Sequence, residues 1–206
     1  QEISRIDAVS EKRGSRRSFY TTTSLDSFNT YFLNSITTCK YLLTNIFNTN
    51  IIKKYGDTVL IHTERFDLDF IVKNKIEFIV SDRSRYLISA DIIRFLEKKI
   101  VNLHPSFLPW NKGYHPNYWS IKEGTPHGVT MHSIDENIDT GDIIAQTRLY
   151  YGDYDTLRST YDQLRRAMVG LFYVFWGDIR TGKMTGVSQK KGSGSLHYKA
   201  DFNKKF

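Results

Sequence analysis

The sequence predicts an α/β fold, a largely parallel sheet flanked by helices, and three observations carry that prediction. Short apolar runs at 58–62 (TVLIH), 76–81 (IEFIVS) and 99–103 (KIVNL) have the length and β-branched character of strands. A helical stretch around 89–97 separates the last two, and strand, helix, strand is the order that gives parallel pairing with right-handed crossovers. Glycine and proline are unevenly spread: Gly14 and Gly56 are the only glycines in the first 100 residues, and all four prolines fall between Pro105 and Pro126. The first fact removes a Gly-rich phosphate loop of the dinucleotide or Walker kind from that half. The second marks 105–126 as a pre-shaped loop region where side chains can be held in place.

Residues 1–25 are polar and without periodicity, and are left unassigned. Apolar positions Phe28, Phe32, Ile36, Cys39, Leu43 and Phe47 recur at three or four and predict an amphipathic helix. A helix is expected after Pro116, since proline is favoured in a first helical turn. A second β-rich part, 127–134 and 143–150, is divided by an acidic turn. Leu157, Tyr161, Leu164, Met168, Leu171, Phe175 and Ile179 form the longest helical stripe, closed by Gly182. The expected organisation is one domain over 1–182 and a basic C-terminal tail over 183–206, in which KKGSGS at 190–195 reads as a linker before a short extended segment.

Composition narrows the class. With 206 residues, 40% of them hydrophobic and 25% charged, the chain can bury a core, and its apolar runs are too interrupted for a membrane span. A single cysteine, Cys39, and the lack of a basic segment followed by an apolar one in 1–25 point to a reducing, cytoplasmic setting. Residue 1 is Gln, so the sequence is read as beginning inside a longer product. The net charge of +7 sits in the termini: residues 1–17 contribute +2 and residues 183–206 contribute +5, leaving 18 basic and 18 acidic residues in 18–182. A balanced middle offers no footprint for nucleic acid, and the basic ends read as solvated tails.

The chemistry concentrates in NLHPSFLP, Asn102 to Pro109, which follows directly on a predicted strand. Ligand crevices of open α/β sheets lie at such carboxyl ends. Residues two apart on an extended chain share a side, so the Asn102 amide and the His104 imidazole can converge on one small group. An amide N–H and an imidazolium N–H can both hold a carbonyl oxygen that gains negative charge, while a neutral imidazole can take a proton from an attacking amine. Asp139, in the IDTGDII turn, is the third expected member; a carboxylate beside an imidazole raises its pKa from about 6.5 and holds it in place.

Taken in order, NLHPSFLP, GYHPNYWSIKEGTPHGVTMH and IDTGDIIAQ resemble the folate-dependent formyltransferase superfamily over roughly residues 76–150. The resemblance implies a Rossmann-like fold, 10-formyltetrahydrofolate as formyl donor, catalytic Asn102, His104 and Asp139, and the family's second histidine at His132. It also implies a pterin site between Tyr86, Leu87 and Ile88 and the turn from Asp135 to Asp139. Gly113, Pro116, Asn117 and Trp119, with the IDTGDIIAQ wording, look most like the sugar N-formyltransferases. The acceptor is then a nucleotide-linked amino-deoxysugar met by Lys112, Tyr114 and Asn117. Phosphoribosylglycinamide-type and methionyl-tRNA-type members, and a non-catalytic folate or sugar-nucleotide binder, are the alternatives. Against the tRNA type stand the few residues after Ile179, and against the glycinamide type the missing apolar strand and Gly-rich loop at the start.

Blander readings apply to several residues. His104, His115, His127 and His132 match no common zinc spacing, so no metal is expected. Trp119 and Tyr118 read as core in preference to a nucleobase platform. The Phe172, Tyr173, Phe175 and Trp176 cluster reads as packing, with a homodimer contact left open. For His132, a partner of the site and a simply buried residue are equally good readings.

Overall fold

The computed structural model describes residues 40–43, 49–97 and 99–203. Four strands pair in parallel: β1 (Lys40–Leu43) lies between β2 (Thr58–Ile61) and β3 (Phe78–Asp82), and β3 pairs with β4 (Ile100–His104). Two antiparallel strands, β6 (His127–Ser133) and β7 (Ile143–Leu149), extend the sheet to the order β2-β1-β3-β4-β6-β7. A separate parallel ribbon joins β5 (Lys112–Gly113) to β8 (Leu196–His197).

Alternation along the strands sorts two cores. Tyr41, Phe78, Val80, Val101 and Leu103 face α1 (Asn50–Lys54) and α5 (Leu157–Arg180), where Leu164, Met168, Phe172 and Trp176 complete the larger cluster. Tyr41 and Phe78 meet the Trp176 ring edge-on at 4.9 and 5.4 Å, a geometry that suits aromatic quadrupoles. Leu42, Ile79 and Ile100 point the other way, onto Ile71 of α2 (Leu68–Lys73) and Ile92 of α3 (Ala90–Phe95). By the same alternation Asn102 and His104 leave β4 on the side of Ile100, where the strand runs out beyond these helices.

Three local devices fix the helices nearest the site. Thr156 caps α5 by accepting from Ser159 N, and the Ser159 hydroxyl accepts from Thr156 N in return. At the far end, Arg180 makes a bidentate, fully buried pair with Asp57, at 2.8 and 2.9 Å, tying α5 to the start of β2. Pro116 opens α4 (Pro116–Glu123) and Gly124, with φ +63°, ends it.

Two readings of the sequence are corrected. Leu43, expected on a helix over 28–47, belongs to β1, the strand enclosed by β2 and β3; Phe28, Phe32, Ile36, Cys39 and Phe47 lie outside the described residues. The KKGSGS segment is no free linker either. Lys112 and Tyr114 donate from their backbone N–H to the carbonyls of Ser195 and His197, and the His197 ring stacks on Trp119 at 4.1 Å. Beyond it, α6 (Lys199–Asn203) carries Phe202 against His115, with ring centres 4.6 Å apart. Among the described residues, no helix is long and apolar enough to cross a membrane.

Candidate active site

The register of β4 on β6 sets Asn102 directly opposite His132 and His104 opposite Thr130. Directly opposed residues share a face, so the sheet delivers Asn102, His104 and His132 to one place. Asp139 arrives from the β6–β7 turn, in left-handed backbone geometry at φ +52°. Its Oδ1 accepts from Asn102 Nδ2 at 3.2 Å and stands 3.5 Å from His132 Nε2. Its Oδ2 accepts from the Gly113 N–H at 2.8 Å and stands 3.5 Å from His104 Nδ1. Asn102, His104, Asp139 and His132 therefore form one cluster, and His132 is a partner in it.

Hydrogen bonding settles which atoms carry protons. The Asn111 carbonyl can only accept, so His104 donates to it from Nε2 at 3.0 Å. Nδ1 of the neutral ring is then bare and turned to Asp139. Likewise the Ser133 carbonyl takes the Nδ1 proton of His132 at 2.7 Å, leaving Nε2 to accept from Asn102 Nδ2 at 3.1 Å. The Asn102 amide thus spends its N–H groups on His132 and Asp139.

The charge states follow from burial and neighbours. His104 is 5% exposed; loss of hydration pushes its pKa below the ordinary value, and the opposing pull of Asp139 does not restore it. The expectation that the carboxylate would raise it is corrected: desolvation wins over the charge. Burial disfavours the Asp139 carboxylate too, but the positive charge that His104 and His132 carry once protonated, with the Gly113 N–H, outweighs it and holds the acid well below the usual carboxylate range. An ionised Asp139 beside a neutral, unprotonated Nδ1 forms a ready proton acceptor, since a proton arriving there completes an ion pair.

Around the cluster opens a cavity of about 960 Å³. Tyr86, Leu87, Ile88 and Asp135 line it, as do Tyr114, Asn117 and Tyr118. Leu87 is 81% exposed, an apolar side chain offered to the opening. The Asp135 carboxylate is already engaged by Asn137 N and Thr140 Oγ1 and shapes the turn. Asn117 is mostly buried, its amide donating to Leu157 O and Thr160 Oγ1, while Tyr118 lies at the wall. Lys112, expected to meet the acceptor, does not line the cavity; its ammonium donates to Ser193 O at 3.0 Å. Trp119 is buried against His197 and is no platform for a base. Residues the sequence did not point to also line the cavity: Arg83, Arg158, Tyr161, Lys199 and Phe202. No group of three or more His, Cys, Asp or Glu suited to a metal ion occurs among the described residues.

An open, mainly parallel α/β sheet that brings a half-buried amide and a buried imidazole at the carboxyl end of a strand against a half-buried carboxylate from a neighbouring turn defines a Rossmann-like protein whose site can polarise a carbonyl and accept a proton. The particular family is shown by sequence: the chain belongs to the formyl transferase family, whose profile matches residues 58–173. The dTDP-4-amino-4,6-dideoxyglucose formyltransferase of Mycobacterium tuberculosis is 38% identical over 104 residues, 50% of this chain and 44% of that protein. The GDP-perosamine N-formyltransferase of Brucella melitensis is 38% identical over 97 residues, 46% of this chain and 38% of that protein. This chain thus matches under half the length of these relatives. The formyltransferase PseJ from Anoxybacillus kamchatkensis, crystallised with UDP-4,6-dideoxy-4-formamido-L-AltNAc and tetrahydrofolate, superposes with a TM-score of 0.76 at 40% identity. That match covers 80% of this chain and 88% of PseJ.

Proposed function

We propose that the protein transfers a formyl group from 10-formyltetrahydrofolate to the amino group of a nucleotide-linked amino-deoxysugar. The observation that carries the reading is the Asn102, His104 and Asp139 cluster, held by 2.8 to 3.5 Å contacts and open to one cavity. Its support is the likeness to PseJ, whose crystals contain a formamido sugar nucleotide and tetrahydrofolate. The cavity is at the upper end of the roughly 300–1,000 Å³ usual for ligand sites, room for a donor ring and an acceptor sugar to meet.

The donor supplies an activated formyl group on nitrogen. Tyr86, Leu87 and Ile88 offer an apolar, partly aromatic edge that fits a flat heteroring. Asn102 turns an N–H from His132 to the formyl oxygen and holds the negative charge that grows there. His104 Nδ1 takes the proton that the amine loses as its nitrogen bonds to the formyl carbon. Asp139 pairs with the resulting imidazolium, and the proton passes to the donor nitrogen as its bond to the formyl carbon breaks. The balance closes: one C–N bond forms, one breaks, and one proton moves between nitrogens.

Supply of a folate donor fits a cytoplasmic enzyme, and a formamido sugar on a nucleotide fits assembly of surface polysaccharide. Since Phe172 and Trp176 are inside the core, a homodimer through that helix would use Tyr173 and Val174, which are 47% and 59% exposed. The test is incubation with 10-formyltetrahydrofolate and a panel of acceptors, amino-deoxysugar nucleotides, glycinamide ribonucleotide and water, with mass spectrometry of the products.

A further inference from the structure

We propose that Gln189 is a positioning residue for the catalytic carboxylate, an inference that rests on the formyl-transfer reading above. After α5 the chain runs back along β7: Val187 and Ile143 exchange both backbone hydrogen bonds at 2.8 Å, and Ser188 Oγ donates to Asp142 Oδ1 at 2.8 Å. This return places Gln189 under the β6–β7 turn. Its Nε2 donates to the carbonyls of Asp139 and Gly141, each at 2.9 Å. Two carbonyls can only accept, so the amide orientation is fixed by them. Oε1 is buried, with no partner among the described residues. An amide that leaves its own oxygen unsatisfied is held in place by what its nitrogen does.

The turn needs such an anchor. Asp139 stands at φ +52°, a left-handed conformation that costs energy for a residue with a side chain. Gly141 is packed so closely on the Ser133 carbonyl that no side chain fits. Asn102 and Gly113 grip the Asp139 carboxylate from one end, and Gln189 grips its backbone from the other. The segment after α5 is thereby a part of the catalytic apparatus that touches no reacting atom.

The decisive variant is Gln189→Met, which keeps length and bulk and removes the donors; Gln189→Ala is the second. The main readout is the imidazole titration of His104 by NMR, with His62, beyond the end of edge strand β2, as internal reference. His104 is faced by Asp139 from the turn, His132 from β6 and Lys112 from β5, and of these Asp139 alone raises its pKa. A displaced carboxylate therefore lowers the His104 titration, toward the position expected for Asp139→Asn. A misplacement of about 1 Å lowers kcat by about ten- to a hundredfold, with the acceptor KM changed far less. The expected result is that pattern, with the acid limb of kcat/KM moved the same way and Tm near wild type. An unmoved His104 titration, or a fall in Tm with an unmoved acid limb, would overturn the proposal. Should the wild type formylate no amino sugar nucleotide, the titration still decides the role of Gln189, and only the functional reading falls.

Discussion

The Gly113 N–H donates to Asp139 Oδ2 at 2.8 Å, so the short ribbon that binds the C-terminal segment also grips the carboxylate of the candidate site. Gly113 sits at φ +84°, and a Cβ there would run into the His197 carbonyl. Only glycine satisfies both the left-handed backbone and the close approach. Gly113→Ala is expected to lower turnover by at least about tenfold and stability by about 1–3 kcal/mol. Thermal unfolding and kcat on the same sample check it.

Asn102→Ala and His104→Ala are each expected to lower kcat by at least about a hundredfold, close to 3 kcal/mol, because each removes a group used mainly in the transition state. Folding should survive, since both side chains stand at the strand end beyond the apolar clusters. Near-normal kcat in His104→Ala would remove the proton acceptor from the account.

The pH dependence follows from the charge states. His104 must be unprotonated to act, so kcat/KM rises from acid as it deprotonates. Asp139 pulls the His104 pKa up, against burial. Asp139→Asn therefore moves the acid limb to lower pH while lowering the plateau. A limb that stays in place, measured across the acid range with saturating donor, leaves Asp139 without this role.

Stability carries the same signature. The folded pKa of His104 lies below its unfolded value of about 6.5, so the unfolded chain binds the proton more readily. The contribution is fully present above about pH 6.5 and is lost as pH falls through the folded value. In His104→Gln, Tm should fall less steeply below about pH 6.5 than in the wild type. Equal slopes in the two proteins would show that His104 does not titrate on unfolding.

Much of the site was legible because local rules governed it. Asn102 and His104 are two apart on a strand end, and alternation alone puts them together. His132 needed the antiparallel register of β4 on β6, a long-range fact that spacing does not encode. Over 28–47 the apolar period suggested a helix, yet Tyr41, Leu42 and Leu43 are a continuous apolar run of the kind an enclosed parallel strand shows. In the tail, the glycines suggest flexibility. Gly194 instead permits contact with the Pro109 carbonyl, so packing and not looseness explains it. The direction of the His104 shift escapes the sequence because a neighbouring charge is visible there and depth of burial is not.

The decisive measurement is the product formed when the wild-type protein meets 10-formyltetrahydrofolate and a panel of amino-deoxysugar nucleotides, with tRNA and glycinamide ribonucleotide as rival acceptors. One sugar nucleotide is expected to gain a formyl group on its amine, stoichiometric with tetrahydrofolate released, and Asn102→Ala and His104→Ala are expected to abolish the gain. Because charge is balanced over 18–182, binding of that acceptor should weaken only modestly with salt, unlike a polyanion that sheds counterions. Formylation of tRNA or glycinamide ribonucleotide with no response to any sugar nucleotide, or donor hydrolysis without transfer, would contradict the proposed activity.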